Sequence, residues 1–228
     1  MMRTASVFVL LLFLWMSACD EVEETPVDIP GPEYFPLETG RYIIYSVDST
    51  RIQFNVATTY EYELRLSIGT SFMNGEGNQT YIIQREKRAD SSKPWTPAGT
   101  WSAWKSIRQA VVAEGNTSYV KLQFPLSKGI AWNGNALNAA GGADRCVGMD
   151  CDEYEVTETD PDVVVTQSND PDEILRKDIR FETYRKGVGL IYRESTVLDY
   201  CDSGDCFGTQ FVKNGLKYKQ EMIESGSL

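Results

Sequence analysis

Strict alternation of apolar and polar residues is the feature that most constrains how this chain folds. It is clearest in "YEYELRLSI", whose apolar positions are Tyr60, Tyr62, Leu64, Leu66 and Ile68. Side chains of a β-strand point alternately to the two faces of its sheet, so such a segment predicts a strand with one buried face. The same period recurs in residues 41–47, 79–88, 118–124 and 176–185.

The strand-like segments are long and are joined by short turns. We count about nine to eleven strands and expect an all-β, single-domain fold. The pattern favours a curved antiparallel meander, half-open or closed into an up-and-down barrel, with a tyrosine-rich inner face. Residues 189–223 predict a long hairpin that turns at "DSGD" (202–205). The best helix candidate is 101–113, although Val111 and Val112 favour a strand there.

The N-terminus has the layout of a secretory signal peptide, which we assign to residues 1–18. Arg3 supplies a positive charge, residues 7–16 are apolar, and two small residues follow. The apolar run is too short to cross a bilayer, which needs about 20 such residues. The end of the run, "MSAC" (16–19), resembles a bacterial lipobox. That resemblance implies cleavage before Cys19 and acylation of its sulfur and amine, with palmitate-like chains as a stable anchor.

Residues 19–36 are expected to form a tether between this anchor and a β-domain that spans residues 37–228. The acidic cluster "DEVEE" (20–24) resembles the signal that exports Bacteroidota lipoproteins to the cell surface. In proteobacteria an aspartate at position 20 would imply retention at the inner membrane, and a solvated spacer is a third interpretation. The proline-rich segment that follows predicts a semi-extended chain. We therefore expect a lipid-anchored outer-membrane protein exposed at the cell surface, with a periplasm-facing orientation as the alternative.

Composition excludes several classes of function. The chain has 22 Lys and Arg against 33 Asp and Glu, a net charge of −11, and no basic run, which excludes nucleic acid as a partner. It has no histidine, which excludes Ser-His-Asp and Cys-His hydrolases and most catalytic zinc sites. No acidic segment matches a calcium-binding loop. We therefore expect no catalytic residue, no metal and no cofactor, while a carboxylate-pair enzyme acting on glycans remains an alternative.

Four cysteines remain after Cys19, in two copies of one spacing. The copies are Cys146 with Cys151, and Cys201 with Cys206. Two cysteines that flank a four-residue loop can face each other across a hairpin, so we predict two local disulfides in an exported chain. Crossed pairing and a zinc site built from all four thiolates are the alternatives.

Two groups of tryptophans are candidate ligand-binding residues. In "AWNGNALN" (131–138), the ring of Trp132 and the amides of Asn133, Asn135 and Asn138 could hold a sugar by stacking and hydrogen bonding. The alternative is that the tryptophan plugs one end of the barrel and the asparagines form a turn. Trp101 and Trp104 are three residues apart, so on a strand they face opposite sides and one is a candidate for exposure.

Three segments together resemble a broad set of uncharacterised Bacteroidota lipoproteins. They are "YFPLETGRYIIYSVDS" (34–49), "VKLQFPLSKGIAWNGNALN" (120–138) and "YRKGVGLIYRE" (184–194). The shared motifs are "YFPL..G..W.Y.VDS", "W.GN..N" and "KGVGL.Y.E", although this chain has isoleucines where the first motif often has tryptophan. The resemblance implies location and fold and carries no activity. Residues 48–50 also resemble the Bacteroidota O-glycosylation motif, which makes Ser49 a candidate acceptor.

These observations predict a membrane-anchored, non-catalytic envelope lipoprotein whose β-domain binds a ligand or a partner protein. Its expected partners are the membrane, through the anchor, and a glycan, a lipid or an envelope protein. The first alternative is a half-barrel that carries a lipid or apolar solute, which predicts an unfilled apolar pocket. A structural subunit of an envelope assembly would instead expose a large apolar patch. A glycan-active enzyme would need two carboxylates about 5 to 10 Å apart in a cleft.

Overall fold

The computed structural model describes residues 30–138, 153–172 and 174–228. These residues form twelve β-strands and two short 3-10 helices, Pro32–Tyr34 and Gly204–Cys206. The strands are β1 (Arg41–Gln53), β2 (Val56–Met73), β3 (Gln79–Arg88), β4 (Thr96–Lys105), β5 (Gln109–Glu114), β6 (Thr117–Gln123), β7 (Ala131–Asn133), β8 (Glu153–Glu158), β9 (Val163–Asp170), β10 (Arg176–Arg185), β11 (Gly189–Tyr200) and β12 (Val212–Ser227).

The all-β prediction is confirmed, and the strand count slightly exceeds the nine to eleven that were expected. The helix candidate 101–113 is wrong, because this segment is the end of β4, a turn, and most of β5. The strands form one antiparallel sheet in the order β6-β5-β4-β3-β2-β1-β12-β11-β10-β9-β8-β7. Consecutive strands lie side by side except β6 and β7, and β1 pairs with β12 from Arg41↔Ser227 to Gln53↔Asn214. The expected up-and-down meander therefore has β6 and β7 at its two edges.

Hydrogen bonds across these edges nearly close the sheet into a barrel. The indole Nε1 of Trp132 donates to the carbonyl of Val120 at 2.8 Å, and the Val120 amide donates to the carbonyl of Gly134 at 2.9 Å. The Asn138 amide group accepts from the backbone N–H of Ser118 and donates to its carbonyl, both at 2.9 Å. The Asn138 side chain therefore makes the two backbone hydrogen bonds to Ser118 that a residue on a neighbouring strand would otherwise make. We call this set of contacts the seam.

The largest core cluster lies where the seam brings β5 and β6 against β7 to β10. Its buried members include Val120, Leu122, Trp132, Tyr154 and Val156. The Tyr154 ring lies so close to Gly134 that any Cβ at that position would collide with it, which explains the glycine. Strand β6 is enclosed on both faces, because Lys121, which lies between two core residues, is also buried.

Residues 30–37, which we call the strap, cross one end of the barrel. The Lys105 ammonium donates to the carbonyls of Pro32 at 3.0 Å and Phe35 at 2.9 Å, and the Gly187 amide donates to the carbonyl of Glu33 at 2.8 Å. The Phe35 side chain packs against two core clusters. The packed structure therefore includes residues 30–36, which the sequence pattern places in the tether.

Cys201 and Cys206 form a disulfide with their Cα atoms 5.7 Å apart, which is the local pairing that the spacing favours. Cys19, Cys146 and Cys151 lie outside the described residues. Within the described ranges, no helix has the length and apolar character that a membrane crossing requires.

Candidate functional site

A cavity of about 120 Å³ lies inside the barrel beneath the strap. Alternation along the strands points apolar side chains into it, among them Leu66 of β2, Ile83 of β3, Trp101 and Ala103 of β4, and Val112 of β5. Phe35 and Leu37 contribute from the strap. The walls of the cavity are therefore largely apolar.

Several of these inward-facing side chains remain partly accessible to solvent. Leu66, Ile68, Trp101, Val112 and Leu190 are each half-buried, although they lie on the inner face of the sheet. In a filled core such residues are packed to near-zero exposure. Their residual exposure shows that the interior beneath the strap is incompletely filled and can be reached from outside.

Five charged side chains line the cavity. Four of them form one network, which we call the ion quartet, and the fifth, Arg41, lies 3.7 Å from Glu38. The Lys121 ammonium of β6 lies 3.0 Å from a carboxylate oxygen of Glu114 and 3.0 Å from one of Glu182. The Arg193 guanidinium of β11 lies 3.5 Å from Glu182 and 3.7 Å from Glu114. Two cations thus face two carboxylates.

The environment of Glu182 keeps this group ionised. Burial opposes its charge, but the Lys121 ammonium, the Arg193 guanidinium and the hydroxyl of Tyr184 together lower its pKa to about 2. The Tyr184 hydroxyl donates to this carboxylate at 2.5 Å, and burial together with the Glu182 charge raises the tyrosine pKa. Burial also opposes the charge of Arg193, yet Glu182 and Glu114 raise its pKa. At neutral pH Glu182, Tyr184 and Arg193 therefore keep their protonation states.

Tyrosines surround the quartet, in agreement with the expected tyrosine-rich inner face. The Tyr45 hydroxyl donates to the carbonyl of Leu190 at 2.9 Å, and the Tyr218 hydroxyl donates to the side-chain oxygen of Gln220 at 2.7 Å. Tyr45 and Gln220 also line the cavity. These bonds hold the polar side of the cavity in one arrangement.

Arg85 of β3 lies at the boundary between the apolar wall and the tyrosines. Its guanidinium stacks on the Trp101 ring, 3.9 Å from the ring centroid. One terminal nitrogen donates to the carbonyl of Ala98 at 3.4 Å, while the Nε atom is buried without a hydrogen-bond partner.

The structure separates the tryptophans that the sequence singled out. Trp101 lines the cavity, whereas Trp104 is half-buried against the largest core cluster. Trp132 is buried in the seam, where Asn133 accepts from the backbone amide of Asn135 at 2.9 Å and Asn138 bridges to β6. None of the candidates of 132–138 is among the residues that line the cavity. Ser49 is half-buried on β1.

Sequence reasoning missed the four charged residues of the ion quartet, Glu114, Lys121, Glu182 and Arg193, and it also missed Arg85, which stacks on a wall residue of the cavity. Charged positions in an alternating strand usually indicate its solvent-facing side, so the pattern alone gives no reason to place these residues inside the barrel. The only sequence signal was a lysine, Lys121, between the apolar residues Val120 and Leu122. It indicates a buried charge only once both faces of β6 are known to be enclosed.

Within the described residues, no cluster of three or more acidic or cysteine side chains could hold a metal ion. No protein-family model matches the chain, and no curated protein matches it. A solved structure from Bacteroides fragilis, of a protein described as having a YmcC-like fold and thought to be exported, aligns with a TM-score of 0.43 at 10% identity, covering 85% of this chain and 98% of that chain. Similarity at this level carries no conclusion about function.

Proposed function

We propose that the domain is a binding protein that holds a small apolar molecule, or the apolar end of a larger one, inside the barrel. The observation that carries this proposal is the incompletely filled, apolar-walled cavity beneath the strap. Its volume is similar to that of engineered cavities of about 150 Å³ that take up benzene. A short alkyl chain or a single ring fits this space.

The arrangement of charges supports binding rather than catalysis. Glu114 and Glu182 share one ammonium, so their carboxylate oxygens are at most about 6 Å apart. A glycosidase pair needs one carboxylic acid with a raised pKa to protonate the leaving group. The pKa of Glu182 is shifted in the opposite direction, because Lys121, Arg193 and Tyr184 outweigh its burial.

We place this binding domain on the envelope, held by acylated Cys19 and exposed at the cell surface. The signal-peptide pattern, the lipobox resemblance and the acidic cluster support this location. Pro30, at the start of the strap, follows Cys19 by eleven positions. An extended chain of that length spans at most roughly 40 Å, so the strap end of the barrel would lie near the membrane.

A partner protein is the second candidate, because the end of the barrel opposite the strap exposes apolar side chains. Phe54 and Val56 at the β1–β2 turn, Leu175 before β10, Phe207 before β12 and Leu216 are all exposed. Exposed apolar groups of this size are typical of protein contacts when they are contiguous. Chemical crosslinking on intact cells, with Phe54→Ser as the comparison, tests this candidate.

Isothermal titration calorimetry with 1-octanol tests the cavity proposal. We expect saturable binding to the purified protein and at least a tenfold loss of affinity in Ala103→Leu, because the new side chain occupies the cavity. Ala113→Leu is the matched control, since Ala113 is half-buried on the neighbouring strand and does not line the cavity. Absence of saturable binding, or equal affinity in the Ala103 variant, would refute the proposal.

A further inference from the structure

Arg85 differs from its neighbouring arginines in having no carboxylate partner. Arg65 donates to Glu86 at 2.6 Å and Arg88 donates to Glu63 at 2.6 Å. Over the described ranges, no ion pair involves Arg85, and its buried Nε atom has no hydrogen-bond partner. A half-buried cation without a partner is unfavourable unless something else supplies the opposite charge.

Arg193 also keeps donor capacity toward the cavity. Its contacts with Glu182 at 3.5 Å and Glu114 at 3.7 Å are longer than good charge-assisted hydrogen bonds, which are about 2.7 to 2.9 Å. The two carboxylates are instead bound at 3.0 Å by Lys121. The guanidinium of Arg193, which lines the cavity, can therefore donate to a ligand without breaking a short bond.

The charges of this wall do not balance. The ion quartet is neutral, and Arg41, which also lines the cavity, pairs with Glu38 at 3.7 Å, so Arg85 adds one unpaired positive charge beside the cavity in a chain whose total charge is −11. One more carboxylate near Arg85 would remove this positive excess, and in a protein this acidic its absence is notable. A single monovalent anion would neutralise the wall.

Arg193 lines the cavity, and Arg85 lies behind one of the cavity's wall residues. Trp101, on whose ring Arg85 stacks, is itself a wall of the cavity. The Arg193 guanidinium, which lines the cavity, lies over the Tyr218 ring at 5.8 Å from its centroid. Arg193 can meet the end of a ligand inside the cavity, whereas Arg85 can do so only where that end extends to the edge of the Trp101 ring.

We propose that the barrel binds an alkyl carboxylate, with its chain in the cavity and its carboxylate held by Arg85 and by the free donors of Arg193. This inference rests on the proposed function, because it adds a head group to the same cavity. The single unpaired positive charge of Arg85 favours a monovalent carboxylate over a divalent phosphate monoester.

The test compares octanoate, 1-octanol and octyl phosphate on the purified full-length protein at neutral pH. We expect octanoate to bind at least tenfold more tightly than octanol, and octyl phosphate to bind no more tightly than octanoate. Arg85→Met should remove the preference for octanoate over octanol while leaving octanol affinity within twofold. Arg85→Lys should retain part of the preference, since it keeps the charge but loses the planar group. Arg51→Met, an exposed arginine of β1, controls for the loss of one positive charge.

The outcomes separate this inference from the proposed function. Octanol that binds as tightly as octanoate, or a preference that survives in Arg85→Met, would overturn the carboxylate site and leave the cavity proposal standing. Octyl phosphate that binds more tightly than octanoate would overturn the choice of head group. If neither octanol nor octanoate binds, the proposed function fails and this inference fails with it.

Discussion

The Lys121 ammonium and the Glu182 carboxylate lie 3.0 Å apart inside the barrel, although they are 61 positions apart in the chain. Lys121 belongs to β6, an edge strand, and Glu182 belongs to β10 on the opposite side of the sheet order. The pair can form only when the sheet curls until its edges approach. The ion quartet and the seam therefore depend on the same closure.

We expect Lys121→Met to lower the free energy of unfolding by about 3 to 5 kcal/mol, because it leaves the buried Glu182 without its closest cation. Urea denaturation measures the change. Lys121→Met combined with Glu182→Leu should recover part of the loss, since the unpaired charge is then removed. A single variant within about 1 kcal/mol of the wild type would mean that the pair contributes little to stability.

The pKa of Glu182 predicts a specific dependence of stability on pH. Lys121, Arg193 and Tyr184 outweigh the effect of burial and lower this pKa from 4.5 to about 2 in the folded state. Because the pKa is lower in the folded state, ionised Glu182 stabilises the protein above pH 4.5. This contribution to the free energy of unfolding is lost as the pH falls from 4.5 toward 2.

Urea denaturation of the wild type and of Glu182→Gln at a series of pH values between 2 and 6 measures the difference in their free energies of unfolding. The gap should be on the order of 3 kcal/mol above pH 4.5 and should shrink as the pH falls. Glu61→Gln, on an exposed part of β2, controls for the loss of one charge. A gap that stays constant between pH 3 and 6 would be inconsistent with the assignment.

Trp132→Phe should lower the free energy of unfolding by about 1 to 3 kcal/mol, because it leaves the buried carbonyl of Val120 without the indole donor. Trp101→Phe is the matched comparison, since Trp101 lines the cavity and no hydrogen bond of its indole is recorded within the described residues. We expect it to change stability less and to weaken octanol binding more. Thermal unfolding and calorimetry on both variants distinguish the two roles, and a reversed order would show that Trp132 belongs to the binding site.

Replacing Cys201 and Cys206 together by serine should lower the free energy of unfolding by about 2 kcal/mol, as the closure of so short a loop implies. Denaturation with and without reductant measures this loss. Residual sensitivity of the double variant to reductant would indicate a second disulfide, as predicted for Cys146 and Cys151. If the double variant is as stable as the wild type, the bond does not restrain the unfolded chain.

Sequence alternation was sufficient for the all-β class and the antiparallel meander, but it did not locate the opening of the sheet between β6 and β7. Period two is a local property, and short turns between long strands leave an antiparallel meander as the simplest arrangement. The strand count was slightly low because short or interrupted strands carry a weak signal. Strand β7 has only three residues, and the turn that separates β4 from β5 falls inside the helix candidate 101–113.

The roles of Trp132, Asn138, Lys121 and Arg85 were decided by the tertiary structure. The sequence by itself determined which residues share a face of a strand, because adjacent side chains always point to opposite sides. It could not determine which faces become enclosed, since that depends on how far a twelve-stranded sheet curls before its edges meet. Closure buried Lys121 between two core residues and turned the asparagines into a seam, while Arg85 was left behind a wall residue of the cavity without a carboxylate.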